Sequence, residues 1–212
     1  MLHVKVFTFS PIQENTYVLY NDAGKALIID PGCYFSAEQE TLKNFLKDTG
    51  LTPVQLLNTH CHLDHVFGND WVHKTYGLEL YIHPNEEKVL AFAPKSGETW
   101  GMPFTNYSGP LHFIHPGDKV FLDEDELSIL FAPGHSPGSI CFYCENQGFI
   151  IGGDVLFYQS IGRTDLPMGS HETLLHSIRE ELFTLPDAVI VHPGHGRPTR
   201  IGHEKEFNPF LT

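Results

Sequence analysis

Thr59 to His65 reads THCHLDH and places four metal-capable side chains, His60, His62, Asp64 and His65, directly after the apolar run Val54 to Leu57. Imidazole nitrogen and carboxylate oxygen suit zinc, iron and manganese, and a segment just past a strand end can aim neighbouring side chains at one point. Three more candidates stand in glycine-rich turns after strand-like runs: His135 in APGHSPG, Asp154 in IIGGD and His195 in HPGHG. Glycine lets the backbone turn tightly there, so each side chain reaches inward without a bulky neighbour. Seven such ligands are too many for one tetrahedral zinc and suit two cations sharing a bridging group. Two adjacent cations lower the pKa of a shared water toward about 7 and polarise a carbonyl, which is hydrolytic chemistry. Asp64 is also placed to orient that water. Cys61 lies between two candidates whose neighbours already fill the role, so it is expected to pack.

The elements that must position these residues are legible in outline. Leu2 to Phe9, Thr16 to Tyr20 and Lys25 to Ile29 read as three short strands of an antiparallel meander, with Asn21, Asp22 and Gly24 as turn residues. Ser36-Ala37-Glu38-Gln39 has the capping-box pattern of a helix that stops at Gly50, and Val54 to Leu57 is the strand that delivers the histidine cluster. A second helix is expected over Gly68 to Tyr76, then a strand over Glu79 to His83. From Pro84 to Pro116, prolines and glycines interrupt every periodicity, so this stretch is expected to be an irregular lid or binding loop, with Trp100, Phe104 and Tyr107 gripping substrate or pinning the loop to the core.

The second half shows strands over Lys119 to Leu122, Leu127 to Ala132, Ser139 to Tyr143 and Phe149 to Ile151. A helix over His171 to Thr184, apolar on one face through Leu174, Leu175, Ile178 and Leu182, and a last strand over Ala188 to Val191 follow. Strand runs with helices that need covering on one face predict an α/β protein of two packed sheets with helices outside. With 212 residues and 41% hydrophobic content, one domain over 1–212 is expected.

Composition excludes other classes. A net charge of −13 with no Lys/Arg stripe argues against a nucleic-acid partner. No apolar run reaches the roughly 18 residues of a membrane span, and the alternating N-terminus reads as a strand and not a signal peptide, so the expected location is the cytoplasm with no membrane partner. Four cysteines do not make a disulfide framework; Cys141 and Cys144 should point to opposite faces of one strand and pack in the core.

Asp30 at a strand end, THCHLDH, His135, Asp154 and His195, in this order, closely resemble the metallo-β-lactamase-fold hydrolases, the glyoxalase II-like hydroxyacylglutathione hydrolases in particular. The resemblance extends to GRTDLPMGS at 162–170 and IGHEKEFNPF at 201–210. It implies an αββα sandwich of two mixed sheets. It also implies a first cation on His60, His62 and His135, a second on Asp64, His65 and His195, and Asp154 bridging. The two divalent cations would be zinc foremost, with iron or manganese as alternatives. Asp30 would hold the cluster loop, and among the other histidines His192 would support the ligands.

A thiol of pKa about 8.5 departs as thiolate, whereas an amine needs a general acid. No proton donor beyond the ligands is apparent, so the expected reaction is hydrolysis of a small-molecule thioester, and the resemblance implies S-lactoylglutathione as an example. Glyoxalase II enzymes carry a further C-terminal helical domain with glutathione contacts, whereas this sequence ends 17 residues after His195. The substrate grip is therefore expected from the 84–116 loop, from Tyr158, or from Arg163, whose guanidinium could pair with a substrate carboxylate or anchor its own loop. The alternative is a mononuclear iron persulfide dioxygenase, which shares the fold and the GRTD element and would use His60, His135 and Asp154. A non-enzymatic metal-binding protein is the third reading.

Overall fold

The computed structural model describes residues 1–211. The first sheet is built in order from β1 (Leu2–Phe9), β2 (Glu14–Asn21), β3 (Lys25–Ile29), β4 (Thr52–Leu57), β5 (Leu80–Ile82) and β6 (Leu111–Phe113). β1 to β3 form the antiparallel meander, and from β3 onward the pairing is parallel. α1 (Ser36–Asp48), α2 (Leu63–Val66), α3 (Asn69–Tyr76) and α4 (Glu87–Thr99) fall between these strands. The second sheet contains β7 (Lys119–Leu122), β8 (Asp125–Phe131), β9 (Ile140–Cys144) and β10 (Phe149–Gly153); a small ribbon of β11 (Leu156–Phe157) and β12 (Ser160–Ile161) and the helix α5 (His171–Ser177) follow. It is completed by β13 (Ile190–Pro193), parallel to β10, and β14 (Thr199–Arg200), with α6 (Ile201–Phe207) closing the chain.

Three apolar clusters explain the layering. Side chains alternate across a strand, so in β2 and β3 Tyr17, Leu19, Leu27 and Ile29 face one way, toward Val120, Ile129, Phe142 and Ile151 of the second sheet. Val18, Ala26 and Ile28 face the other way, against Leu42 and Leu46 of α1, Val72 of α3 and Leu90 of α4. The outer face of the second sheet buries Cys141, Ile150 and Val191 beneath Leu174, Ile178 and Ile201. Sheets buried on both sides need apolar residues at successive positions, which is why Ala26 to Ile29 is apolar throughout. The result is the expected αββα sandwich. Cys141 and Cys144 pack into different clusters, on opposite faces of β9 as alternation requires.

The structure corrects four local expectations. The helix α1 starts at Ser36 with Phe35 at the cap, and it is Glu38 that reaches back, accepting from the N–H groups of Tyr34, Phe35 and Ser10. The helix from His171 keeps its α form only to Ser177 and continues as a wider π turn over Ile178–Leu182. The ribbon, β14 and α6 were not foreseen. The largest departure is Pro84 to Pro116, expected to be irregular: it contains a 3-10 turn, the thirteen-residue α4 and β6.

α4 tolerates Pro94 in its interior because the lost bond is replaced. Proline has no N–H for the carbonyl four residues earlier, here Leu90, and Asn106 Nδ2 donates to that oxygen at 2.8 Å. Tyr107 is pinned into the core, its hydroxyl donating to the Pro110 carbonyl and accepting from Leu80 N–H. Phe104 packs edge-on to Phe67. We predict that Asn106→Ala destabilises the fold by about 1–3 kcal/mol, the cost of an unmet buried acceptor. Pro94→Ala should remove most of that cost by restoring the helical N–H. Equal losses in both backgrounds, read by denaturant unfolding, would show that Asn106 does not serve the Leu90 carbonyl.

Candidate metal centre

All seven expected ligands converge at one end of the sandwich, where strand ends of both sheets meet. β4 delivers His60, and α2 carries Asp64 and His65 one turn beyond His62. The turns after β8, β10 and β13 bring His135, Asp154 and His195. Backbone bonds stitch the sheets here, Ile140 N–H to the Thr59 carbonyl and Asn15 N–H to the Gly194 carbonyl. A Cβ on Gly194 would collide with Asp154 Oδ1, so only glycine lets the His195 turn close against Asp154.

Two triads result. His60, His62 and His135 form one, and Asp64, His65 and His195 the other, the donor atoms within each lying within 4.8 Å of one another. His135 Nε2 stands 3.2 Å from His60 Nε2 and 2.8 Å from His62 Nδ1, near the ~3.4 Å edge of a tetrahedron with bonds of about 2.1 Å. His195 Nε2 is 3.1 Å from Asp64 Oδ2. Asp154 spans the two groups: Oδ1 lies 3.4 Å from His65 Nε2, and Oδ2 lies 3.5 Å from both His135 Nε2 and His195 Nε2.

The outer nitrogens orient the rings. His65 Nδ1 donates to Asp30 Oδ2, His135 Nδ1 to the Arg163 carbonyl, and His195 Nδ1 to the Gln13 carbonyl, at 3.1, 2.7 and 3.1 Å. Thr59 Oγ1, itself donating to Asp30 Oδ2, accepts from His60 Nδ1. Four imidazoles therefore turn Nε2 inward, the arrangement that metal-bound histidines share. His62 alone turns Nδ1 inward. Asp30, His60 and His65 also cluster, but there the Asp30 carboxylate is already engaged by Asn58 Nδ2, Thr59 N–H, the Thr59 hydroxyl and His65 Nδ1. That group is a brace.

Charge divides the two triads. Burial holds His60 well below the ordinary imidazole range, helped by His65 and His135. Burial and His135 push His62 down to about 3, and burial lowers His135 too. This triad is neutral, with lone pairs available. Burial also opposes charge on His65 and His195, but Asp154 and Asp64 outweigh it and raise both. Burial resists ionisation of Asp64 and Asp154 as well; the facing His65, then His195, nevertheless hold both carboxyls below their ordinary range. Positive charge is thus favoured at the second triad, and a cation binding there displaces protons, so its affinity falls as pH falls.

Two atoms test whether this set fits a metal. His65 Nε2 and Asp154 Oδ1 are buried, face each other, and have no hydrogen-bond partner among the described residues. An unmet buried polar atom costs about 1–3 kcal/mol, and such atoms in a native site mark an ion or water. Nitrogen and oxygen donors in two triads with one bridging carboxylate fit two divalent cations.

Comparison with known proteins agrees. The pattern of the metallo-beta-lactamase superfamily matches residues 10–195. This chain belongs to that superfamily. It is a metal-dependent hydrolase by that membership. A probable metallo-hydrolase of Bacillus subtilis, YqgX, is 41% identical, covering 95% of this chain and 93% of its own. The hydroxyacylglutathione hydrolase GloC of Haemophilus influenzae is 36% identical, covering 99% and 98%. Among solved structures, the B3 metallo-beta-lactamase BLEG-1 superposes with a TM-score of 0.90 at 41% identity, covering 99% of this chain and 100% of its own. TTHA1623 in a di-iron-bound form gives 0.89 at 35%, covering 98% and 100%.

Within this superfamily member, Arg163 takes the second of its two expected roles, anchoring its own loop, and two other expected roles look different in the structure. Arg163 lines the cavity above the triads, but its guanidinium forks onto Asp165 at 2.8 and 2.9 Å, and it is its carbonyl that orients His135. Tyr158, expected to touch substrate, stacks between the Arg197 guanidinium and the His203 ring and is not among the cavity-lining residues; its neighbour Phe157 lines the cavity instead. His192, expected to support the ligands, sits edge-on to Tyr17 and Phe149. The support comes from the next residue, whose carbonyl accepts from Tyr17 Oη and Asn15 Nδ2.

Sequence reasoning missed two buried carboxylates. Glu14 is fully buried at the foot of β2, with Oε1 at 3.9 Å from His65 Nδ1, and burial raises its carboxyl. Glu86 links two ligand loops: Oε2 accepts from Cys61 N–H, and Oε1 from the Ser136 hydroxyl and Gly138 N–H, at 2.7, 2.6 and 2.7 Å. Burial raises its carboxyl while those donors pull it down. The sequence signal at Glu86 is a carboxylate at a helix start, which a solvated side chain matches equally well.

Two variants test these assignments. Asp154→Ala should lose both cations together, measured as metal content per chain, and full retention of either one would refute the bridging role. Glu86→Gln should weaken binding at the three-histidine triad by about 10–100-fold, read by chelator competition. Unchanged affinity would reduce Glu86 to a packing role.

Proposed function

We propose that this protein hydrolyses thioesters with two divalent cations, zinc foremost, held by the seven ligands. The observation that carries the reading is the pair of triads bridged by Asp154 on the floor of a cavity of about 370 Å³. That volume is within the range of small-molecule sites. When bound, such a cation pair supplies a nucleophilic water at neutral pH and polarises the scissile carbonyl.

The protein's own part is positioning. Asp64 borders the cavity, where its carboxylate is the acceptor available to orient an attacking water. His135 and His195 line the same cavity, their rings fixed by backbone carbonyls, so the floor is rigid before substrate arrives.

The leaving group follows from what the cavity lacks. Its titratable lining is Cys61, His62, Asp64, His135, Asp154, Arg163 and His195, and the ligands aside this leaves a buried thiol raised by burial and an ion-paired guanidinium. Neither serves as a general acid near neutrality. A thiolate departs without one, which supports a thioester over an amide. Likeness to GloC, named as a hydroxyacylglutathione hydrolase, supports S-lactoylglutathione as reference substrate. The 41% identity to a B3 metallo-beta-lactamase favours β-lactam opening as a second reading, and the missing proton donor ranks it lower.

The purified protein is expected to hold close to two cations per chain, to cleave S-lactoylglutathione, and to lose activity on chelation and regain it with zinc. A single iron with oxygen uptake on glutathione persulfide would instead make it a dioxygenase. Turnover of nitrocefin with no turnover of any thioester would favour the lactam reading.

A further inference from the structure

Above the ligands, the cavity wall is apolar almost throughout. Ile12, Phe92, Trp100, Phe157, Leu166 and Met168 line it. Phe92, Trp100 and Met168 are 47%, 56% and 50% exposed, so three large apolar side chains stand in solvent around one opening, which marks a binding surface. Met168 holds a positive φ of 68°, a conformation that costs a non-glycine residue about 1 kcal/mol, and the Gly169 N–H to Leu166 carbonyl bond ties the turn that presents it. Strain of this kind persists where surrounding structure enforces it, and it concentrates at ligand clamps.

Polar partners on the wall are few. Away from the ligands, Ser96 and Ser160 bring hydroxyls, and the one cation, Arg163, is engaged by both oxygens of Asp165. Arg197 lines an adjoining, more open groove that shares Ile12 and His195 with this cavity, and its guanidinium is already engaged over the Tyr158 ring. Nothing on the wall is built to pair with the two carboxylates of a glutathione moiety, and a lactoyl group would leave most of the cavity unfilled.

We infer that the cavity selects thioesters carrying an uncharged, apolar arm, a medium-length alkyl or an aryl group, which packs against Phe92, Trp100 and Met168. This rests on the thioester reading and narrows its substrate class. Burial of each added methylene is expected to raise kcat/KM about three- to fourfold until the cavity is full.

The test uses the metal-loaded protein and two series of neutral substrates. Acyl chains from acetyl to decanoyl are varied on N-acetylcysteamine, and thiols from N-acetylcysteamine to hexanethiol are varied on acetyl. A rise of at least about tenfold along one series is expected, and that series identifies the arm. Trp100→Ala and Phe92→Ala should flatten the rise, lowering kcat/KM more for the long-armed substrates than for acetyl-N-acetylcysteamine. Two flat series, or S-lactoylglutathione preferred to every neutral substrate, would overturn the inference and leave the hydrolase reading standing. Non-hydrolysable thioethers of the same arms, followed by tryptophan fluorescence, separate the remaining cases. Chain-length-dependent binding with no turnover of any thioester would refute the hydrolase reading and keep the apolar site, whereas binding independent of length would overturn the apolar site itself.

Discussion

The buried carboxylate of Asp30 is the constraint on which the centre depends. It ends β3 with a φ of +50°, a left-handed conformation that aspartate tolerates better than most residues. From there it accepts four hydrogen bonds, from Asn58, from the N–H and hydroxyl of Thr59, and from His65. Thr59, with its own proton committed to Asp30, is left to accept from His60. One carboxylate thus fixes the tautomer and tilt of a histidine in each triad, directly for His65 and through Thr59 for His60. Asn58 extends the brace, donating to the His65 carbonyl and accepting from Asn69.

The same economy holds across the gap between the sheets. Glu86 ties the Cys61 backbone to the loop after His135, and Asn15 ties the foot of β2 to the carbonyls of Pro193 and Gly196 on either side of His195. The ligand loops at His60 to His65, at His135 and at His195 are each anchored by a buried polar side chain from another part of the chain. Buried polar groups demand full satisfaction, so these loops have one low-energy arrangement, and mobility that would blur the ligand geometry is suppressed where the chain is otherwise irregular.

The ligand set was legible because histidine and aspartate beside glycine, just past strands, form a dense local pattern. The layers were legible because both sheets are buried on two faces and read as apolar runs. What escaped was decided by distant partners. Pro94 and Gly97 make the α4 stretch read as an irregular loop, and the compensation for Pro94 comes from Asn106, twelve residues downstream. Glu14 and Glu86 read like solvated carboxylates, because their burial is set by loops remote in sequence. Tyr158 and His192 are displaced by their neighbours: Phe157 lines the cavity, and the Pro193 backbone carbonyl accepts from Tyr17 and Asn15, a backbone role that side-chain identity does not reveal.

The centre also separates reactivity from selectivity. The floor consists of buried donors whose orientation is set by backbone carbonyls and carboxylates, so most substitutions there break a hydrogen bond or strand a charge. The wall comes largely from α4 and the segment from β11 to the start of α5, and three of its apolar side chains, Phe92, Trp100 and Met168, are exposed to solvent. A change at Phe92 or Met168 alters the shape and polarity offered to substrate at little cost to folding, since exposed positions contribute little to stability. A fold built this way can hold its hydrolytic floor constant while the wall changes the substrate. For that reason likeness over the whole chain fixes the chemistry of this protein more firmly than the molecule it acts on.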